Sequence, residues 1–424
     1  MKSMFLKLLL LALSLSVVTA CQQEEQATDE AVSNLEVVAE VEVSDKPVDF
    51  SAKAEEISKK YIIADTHVDV PYRLLEKYDD VSGSTEGGDF DYPRAVKGGL
   101  DAPFMSIYTP ADLEEKGGSK AQAEQLIDMV EKMAADSPEK FAIALSPGDL
   151  LRNFRQGVMS LPMGMENGSP LEGDLANVEH FFKRGIRYIT LAHSLSNHLS
   201  DSSYDEARPN DGLSDFGRAV VKEMNRLGMM VDVSHLSDKA FYDVLEVSEV
   251  PVIASHSSAR EFTPGFERNM SDEMIKALAE KGGVIFINFG STFVSQASRD
   301  NYDAYKEARQ KFMDENGVSV EHESVMTFTE QYRAEKPFEF ADLAIVLNHF
   351  DHVIDLVGVD YVGIGSDYDG VGDSLPTGLK DVSTYPNLIE GLLVRGYSED
   401  DIAKILSGNL LRVWTQVENH AQQQ

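Results

Sequence analysis

Eight short apolar runs, spaced along the chain between stretches of helical composition, constrain what this sequence can fold into more than any other feature. They are Tyr61 to Ala64, Ala102 to Tyr108, Met159 to Met165, Tyr188 to Leu191, Met229 to Val233, Val252 to Ala254, Val284 to Asn288 and Val362 to Gly365. Apolar runs of this length predict parallel strands buried on both faces. Eight of them alternating with helices predict an α/β fold, the (β/α)8 TIM barrel, over residues 58–424. Phe141 to Leu145 is a ninth run, expected as an accessory strand. Ser271, ahead of a periodic segment ending at Gly282-Gly283, and Ser398 with Asp401 mark helix starts. The charged stretch 291–339 reads as a helical insertion after the seventh strand, on the functional rim or packed beside it.

A barrel of this kind collects its functional groups from the carboxyl ends of its strands, which converge in space although distant in sequence. The first run leads into Asp65-Thr66-His67-Val68-Asp69; the third ends at Glu166, the fourth at His193, the fifth at His235, the sixth at His256 and the eighth at Asp367. Imidazoles and carboxylates in one mouth, with no cysteine in the body, suit Zn2+ or a similar borderline ion. A carboxylate bridging two ions lets them sit about 3.5–4 Å apart around a shared hydroxide, and Glu166 is the natural bridge. The plainer alternatives are a buried Glu paired to a neighbouring Arg or His, and histidines satisfied inside a core. His198, His322, His349 and His352 lack the strand-end context, and the last two share a helix face.

Composition narrows the partners. With 72 Asp plus Glu against 38 Lys plus Arg, a formal charge of −34, the chain is no general nucleic-acid binder, because neutralising phosphates takes clustered Lys and Arg. One cysteine excludes an internal disulfide framework and a thiolate zinc cluster. Residues 1–20, with Lys2 and Lys7 ahead of the apolar stretch Leu8 to Val18, read as a secretory signal peptide. The run Val18-Thr19-Ala20-Cys21 resembles the lipobox of bacterial lipoproteins. That resemblance implies lipidation at Cys21 and a protein anchored to a membrane rather than spanning it. Gln22 then favours the outer membrane of the bacterial cell envelope, facing the periplasm. Residues 21–57, acidic and without sustained periodicity, read as a flexible tether.

Taken in order, Asp65-Thr66-His67-Val68-Asp69, Tyr188-Ile189-Thr190-Leu191-Ala192-His193, Val231-Asp232-Val233-Ser234-His235, Pro251-Val252-Ile253-Ala254-Ser255-His256-Ser257-Ser258, Arg268-Asn269 and Gly365-Ser366-Asp367-Tyr368-Asp369-Gly370 resemble the membrane dipeptidases, or renal dipeptidase-like peptidases, from about Ile62 to Val417. The resemblance implies a zinc-dependent hydrolase of dipeptides, L-Xaa-Xaa with tolerance of a D-residue at the second position, and a homodimer. It implies one zinc on His67 and Asp69, a second on His235 and His256, and Glu166 bridging the two. His193 would sit beside the scissile carbonyl, Arg268 would bind the substrate carboxylate, and Asp367 would handle the proton. Many members carry Gly-Gly after the bridging Glu where this chain has Asn167-Gly168, so the local loop is expected to differ.

Two other classes stay open on sequence grounds: another binuclear-metal amidohydrolase acting on a cyclic amide or lactone, and a non-catalytic surface lipoprotein that keeps the fold as a binding module. The first commonly shows His-x-His on strand one, where this chain has His67-Val68-Asp69. No Gly-x-Ser-x-Gly elbow, Walker loop or His-Glu-x-x-His helix is present.

Overall fold

In the computed structural model, which describes residues 49–424, the apolar runs pair as eight parallel strands in sequence order. They are β1 (Ile63–Val68), β2 (Leu100–Tyr108), β3 (Met163–Glu166), β4 (Ile186–Thr190), β5 (Met230–Asp232), β6 (Ile253–Ser257), β7 (Val284–Ile287) and β8 (Val362–Ile364). The ring closes at its carboxyl end, where Asp367 N donates to His67 O at 3.1 Å and Asp69 N to Tyr368 O at 2.8 Å. The fold is the expected (β/α)8 barrel, and the strand ends that complete it carry candidate site residues.

Two apolar layers hold the barrel. Ala64, Phe104, Tyr188, Met230, Ile253, Val284 and Phe286 pack with Leu410, Val413, Trp414 and Val417 of the last helix, Asn409–Ala421. A larger set, including Ile63, Met105, Ile107, Ile189, Val231, Ile285 and Val362, packs under the surrounding helices. Adjacent residues such as Ile63 and Ala64 fall in different layers, as alternation along a strand requires. Helix starts repeat one device: the side chains of Ser214, Ser237 and Ser271 accept from backbone N–H groups three residues on, with Asp215, Asp238 and Asp272 next in line. Each such cap contributes about 1 kcal/mol, and the adjacent acid complements the helix dipole. Ser398 and Asp401 form the expected capping box.

The structure corrects three boundaries. Met159 to Met165 is not one strand: Pro162 interrupts it, having no N–H for a ladder. Met159–Leu161 instead pairs with the accessory strand Phe141–Ile143, and only Met163–Glu166 enters the barrel. The first strand starts later than Tyr61 and runs to Val68, with a register irregularity between Asp65 and Val68. The helix α1 (Ser51–Lys60) occupies what was read as the end of the tether. It buries Ala54 and Ile57, and Tyr61 Oη donates to Glu399 at 2.9 Å. The folded body thus begins by residue 51. The expected signal peptide, Cys21 and residues 21–48 of the tether lie outside the described residues. Among the described residues no helix is long and apolar enough to cross a membrane.

The stretch after β7 is helical, as expected, and forms α2 (Gln296–Asn316) and α3 (Glu323–Glu335). Few of its side chains are buried. An aromatic seam joins the pair: Phe312 stacks on Phe328 with centroids 4.6 Å apart, and Arg333 lies 4.3 Å from the Tyr305 ring.

Gly164 on β3 is required by close approach. A Cβ there would lie 1.9 Å from Cζ of Tyr188, whose ring crosses from β4. The substitution Gly164→Ala is expected to lower stability by about 1–3 kcal/mol, the usual range for overpacking. Urea denaturation reads this as a lower midpoint at unchanged slope, and an unchanged midpoint would show that the Tyr188 ring is not fixed there.

Candidate metal centre

Glu166, the last residue of β3, stands where four histidines converge. Its Oε1 lies 3.1 Å from His235 Nε2, 3.3 Å from His256 Nε2 and 3.6 Å from His193 Nε2, while Oε2 lies 3.4 Å from His67 Nε2. His67 Nε2 is also 3.4 Å from Asp69 Oδ2. Three overlapping donor sets result: His67, Glu166 and His256; Glu166, His193 and His235; and His67, Asp69 and Asp367. The structure therefore brings together His67, Asp69, Glu166, His193, His235, His256 and Asp367 as the sequence predicted.

The local backbone explains how. His67 lies in the irregular part of β1, and a bulge re-aims a side chain. Asp69 is the residue before the helix Val70–Glu76. His235 and Asp367 lie three residues beyond their strands with φ of 68° and 65°, a left-handed conformation that His and Asp tolerate better than bulkier residues. Asn167 adopts φ 78°. Asn fits where Gly would, and here its side chain adds a hydrogen bond to Thr109 O at 2.9 Å. Gly370 closes the cluster: a Cβ there would lie 2.2 Å from both Asp367 Oδ1 and Asp69 Oδ2.

The hydrogen-bond pattern fits a cation. Tyr188 Oη donates to Thr66 O at 2.9 Å, so it accepts from His67 Nδ1, also at 2.9 Å. Ser255 Oγ donates to Asp232 Oδ2 at 2.6 Å and accepts from His256 Nδ1 at 2.7 Å. In both rings the Nδ1 position carries the hydrogen, which directs Nε2 toward Glu166 and is the outer-shell arrangement that orients metal-binding imidazoles. His235 Nε2 and His256 Nε2 face each other at 2.8 Å. Among the described residues the buried atoms His67 Nε2 and Asp69 Oδ1 have no hydrogen-bond partner. Buried donor atoms this close, with no thiolate among them, fit Zn2+ or a similar ion.

Titration behaviour follows the same geometry. Burial would push Glu166 up, but the charges of His67 and His193, with bonds from His235 and His256, hold it well below the usual carboxylate range. Burial holds His235 and His256 well below the ordinary imidazole value, reinforced by Arg268 at His235 and by His67 at His256. His67 goes the other way: burial opposes, yet Tyr188, Glu166 and Asp69 raise it well above that value. A bound cation takes the place of such a proton. Burial, then the Asp69 charge, pushes Asp367 up to about 8, and Asn288 Nδ2 donates to its Oδ2 at 2.7 Å.

The centre floors a cavity of about 640 Å³, lined by Asp69, Glu166, His193, His235 and Asp367 among others. Arg268 differs from expectation. It is 3% exposed, and Nη1 and Nη2 donate inward to Ser257 Oγ at 2.8 Å and His256 O at 2.7 Å. It is therefore behind the cavity wall, with Nε lacking a partner among the described residues. His349 is a core histidine bonded to Ala259 N and Val294 O, and His352 pairs with Asp272 at 2.7 Å. Sequence reasoning passed over Asp65 and Asp232. Asp65 accepts from His67 N and Ser366 N at 3.1 and 2.9 Å, and Asp232 orients Ser255. For Asp232 the available signal is an acid inside the apolar run Met229 to Val233; Asp65 directly follows its run.

A family model described as membrane dipeptidase, peptidase family M19, matches residues 51–424. Dipeptidase 3 of Mus musculus is 33% identical over 371 residues, which cover 85% of this chain and 66% of the mouse protein, just under two thirds of its length. Among solved structures, the probable dipeptidase PvdM from Pseudomonas aeruginosa superposes with a TM-score of 0.77 at 27% identity, covering 87% of this chain and 98% of that one. A metallopeptidase from Rhodobacter sphaeroides shares the fold, with a TM-score of 0.69 at 24% identity over 84% of this chain and 99% of that one.

Removing the Ser255 hydroxyl leaves His256 free to choose its tautomer. Ser255→Ala is expected to weaken metal binding about 10–100-fold, the range for outer-shell partners, as measured by chelator competition with metal content read by mass spectrometry. Affinity equal to the parent's would show that Ser255 does not orient His256.

Proposed function

The chain belongs to the membrane dipeptidase family, peptidase family M19, and from that premise we propose that it hydrolyses dipeptides at a centre of two zinc ions bridged by Glu166. The observation that supports this most is the sharing of Glu166 between donor sets at the floor of a substrate-sized cavity. His67 and Asp69 would hold one ion, and His235 and His256 the other. Ions of this kind supply Lewis acidity and bring the pKa of water toward neutrality.

The chain's own groups complete the reaction. His193 faces the cavity, and burial lowers its pKa, so the ring is neutral at neutral pH and offers one N–H to the oxygen on which charge develops. Asp367, lining the cavity and held through Oδ2 by Asn288, takes up a proton on its other oxygen and returns it to the leaving amine. Arg268 draws the free carboxylate through its charge from behind the wall, and a guanidinium keeps that charge at any working pH. A site that pairs both a free amine and a free carboxylate measures substrate length, and dipeptides would satisfy it. The reading includes a D-residue at the second position and a homodimer, both on the family resemblance alone.

Full-length protein is expected to contain two zinc ions per chain by mass spectrometry. It should hydrolyse L-Ala-L-Ala and L-Ala-D-Ala, and leave tripeptides and N-acetylated dipeptides intact. Two zincs with no dipeptide turnover would defeat the proposal. Arg268→Ala is expected to raise KM for dipeptides about tenfold, in keeping with the loss of a unit charge acting across the cavity wall at reduced dielectric; turnover equal to the parent's would remove Arg268 from substrate binding.

We also propose that the chain is lipidated at Cys21 and anchored in the cell envelope, at the outer membrane facing the periplasm. The support is the lipobox-like run Val18-Thr19-Ala20-Cys21 followed by Gln22. Cys21→Ser is expected to abolish incorporation of labelled palmitate and to shift the protein from the membrane to the soluble fraction. Labelling that persists would place the anchor elsewhere.

A further inference from the structure

One wall of the cavity is built by α2, which contributes Arg299, Tyr302, Asp303 and Lys306. Spacings of three, four and seven residues place these side chains on a single helix face. Arg299 packs its guanidinium 3.4 Å from the centroid of the Phe266 ring. Its nearest carboxylate among the described residues is Asp303, 3.7 Å from Nε and beyond hydrogen-bonding distance. Lys306, one helical turn on, has no carboxylate within ion-pair distance among the described residues, and its Nζ lies 5.8 Å from the Tyr302 ring.

A lysine with no carboxylate within ion-pair distance among the described residues, beside an arginine whose one ion pair is a long 3.7 Å contact to Asp303, is unexpected at this place in a chain with 72 acidic residues and 38 basic ones. Four of the five other acids lining the cavity are engaged: Asp69 and Glu166 belong to the donor sets, Asp367 is bonded to Asn288, and Asp369 is paired with Arg73 at 3.2 Å. Glu76 lies on the same cavity and belongs to the helix that follows Asp69. The order of groups also gives a direction. Arg268 Cζ lies 5.6 Å from the Phe293 ring, Phe293 lies 5.9 Å from Phe266, and Arg299 packs on Phe266. Outward from the place where Arg268 draws the substrate carboxylate, the next cations reached are those on α2.

We propose that Arg299 and Lys306 form a subsite for an anionic side chain on the carboxyl-terminal residue, so that dipeptides ending in Glu or Asp are preferred substrates. This rests on the dipeptidase reading and names the substrate class of the same site. A carboxylate meeting a guanidinium and an ammonium makes charge-assisted bonds that a neutral amide of the same shape makes only weakly, and partial exposure makes the gain fall with salt.

The test compares kcat/KM of the full-length holoenzyme on L-Ala-L-Glu and L-Ala-L-Gln, with L-Ala-L-Ala as reference and L-Glu-L-Ala against L-Gln-L-Ala for position. The Glu to Gln ratio at the second residue is expected to be about tenfold at low ionic strength and to shrink in high salt. It should fall about threefold in Arg299→Gln or Lys306→Gln and to about one in the double variant, chiefly through KM. Lys306 is exposed, so Lys306→Gln decides the matter if Arg299→Gln fails to fold. A parent ratio of one or less, a ratio that survives both substitutions, or a preference confined to the first residue would overturn the subsite while leaving the dipeptidase reading in place. No turnover of any dipeptide, L-Ala-L-Ala included, would remove that reading and this one with it.

Discussion

Everything at the mouth of this barrel answers to the desolvation of Glu166. A carboxylate so deeply buried is costly unless positive charge stands beside it, and the surrounding imidazoles supply it unevenly: His67 is raised well above the ordinary imidazole value, while burial holds His235 and His256 well below it. Cations resolve the conflict only if the nitrogen lone pairs point inward. Tyr188 imposes this on His67, and Ser255, held by Asp232, imposes it on His256. Tyr188 can reach across because Gly164 leaves room for its ring, and Asp69 and Asp367 can approach each other because Gly370 has no side chain. The left-handed backbone at His235 and Asp367 belongs to the same requirement: strained positions persist where the surroundings over-determine them.

The floor and the walls of the cavity are built differently. The floor comes from strand ends whose backbones are locked in a ladder, and the closing bonds between β1 and β8 run through His67, Asp69 and Asp367 themselves. The geometry of the candidate donor atoms is therefore as rigid as the barrel. One wall comes from an inserted helix with only Ser298 and Tyr305 buried along 21 residues. Substitutions on its cavity face disturb little packing, so selectivity for a side chain can change there without moving a ligand atom. On the dipeptidase reading proposed above, this division would separate the reaction from the choice of substrate.

The sequence made the barrel and the convergence of its strand-end imidazoles and carboxylates legible for one reason: in a parallel strand buried on both faces, an imidazole or carboxylate at the carboxyl end interrupts an apolar run and stands out. The same reasoning misled where a polar group lay inside the run or directly after it. Asp232 was passed over, although an acid amid apolar neighbours must be serving some donor, and so was Asp65, which directly follows its run. Pro162 splits a run that hydropathy alone joins, and α1 is hard to read because its two buried apolar residues, Ala54 and Ile57, make a faint pattern within an acidic stretch. Arg268 lies beside the cluster with its terminal nitrogens turned inward. Nothing in a linear sequence says that Ser257 and the His256 carbonyl will take up its two terminal nitrogens. The cavity face of α2 was equally hidden, because which side of a helix meets a barrel depends on how the insertion docks.

The charge of −34 acquires a more limited meaning in this light. Part of it lies at helix starts, where Asp215, Asp238 and Asp272 follow serine caps, and part lies in the segment before residue 49. At physiological ionic strength the screening length is about 8 Å, so a small zwitterion inside the mouth responds to the charges lining it far more than to those across the outer surface. A long polyanion responds to the whole surface and is repelled by it. An acidic surface and a pair of cations inside one cavity are therefore compatible: the first repels long polyanions, and the second would be felt only by groups that enter the mouth.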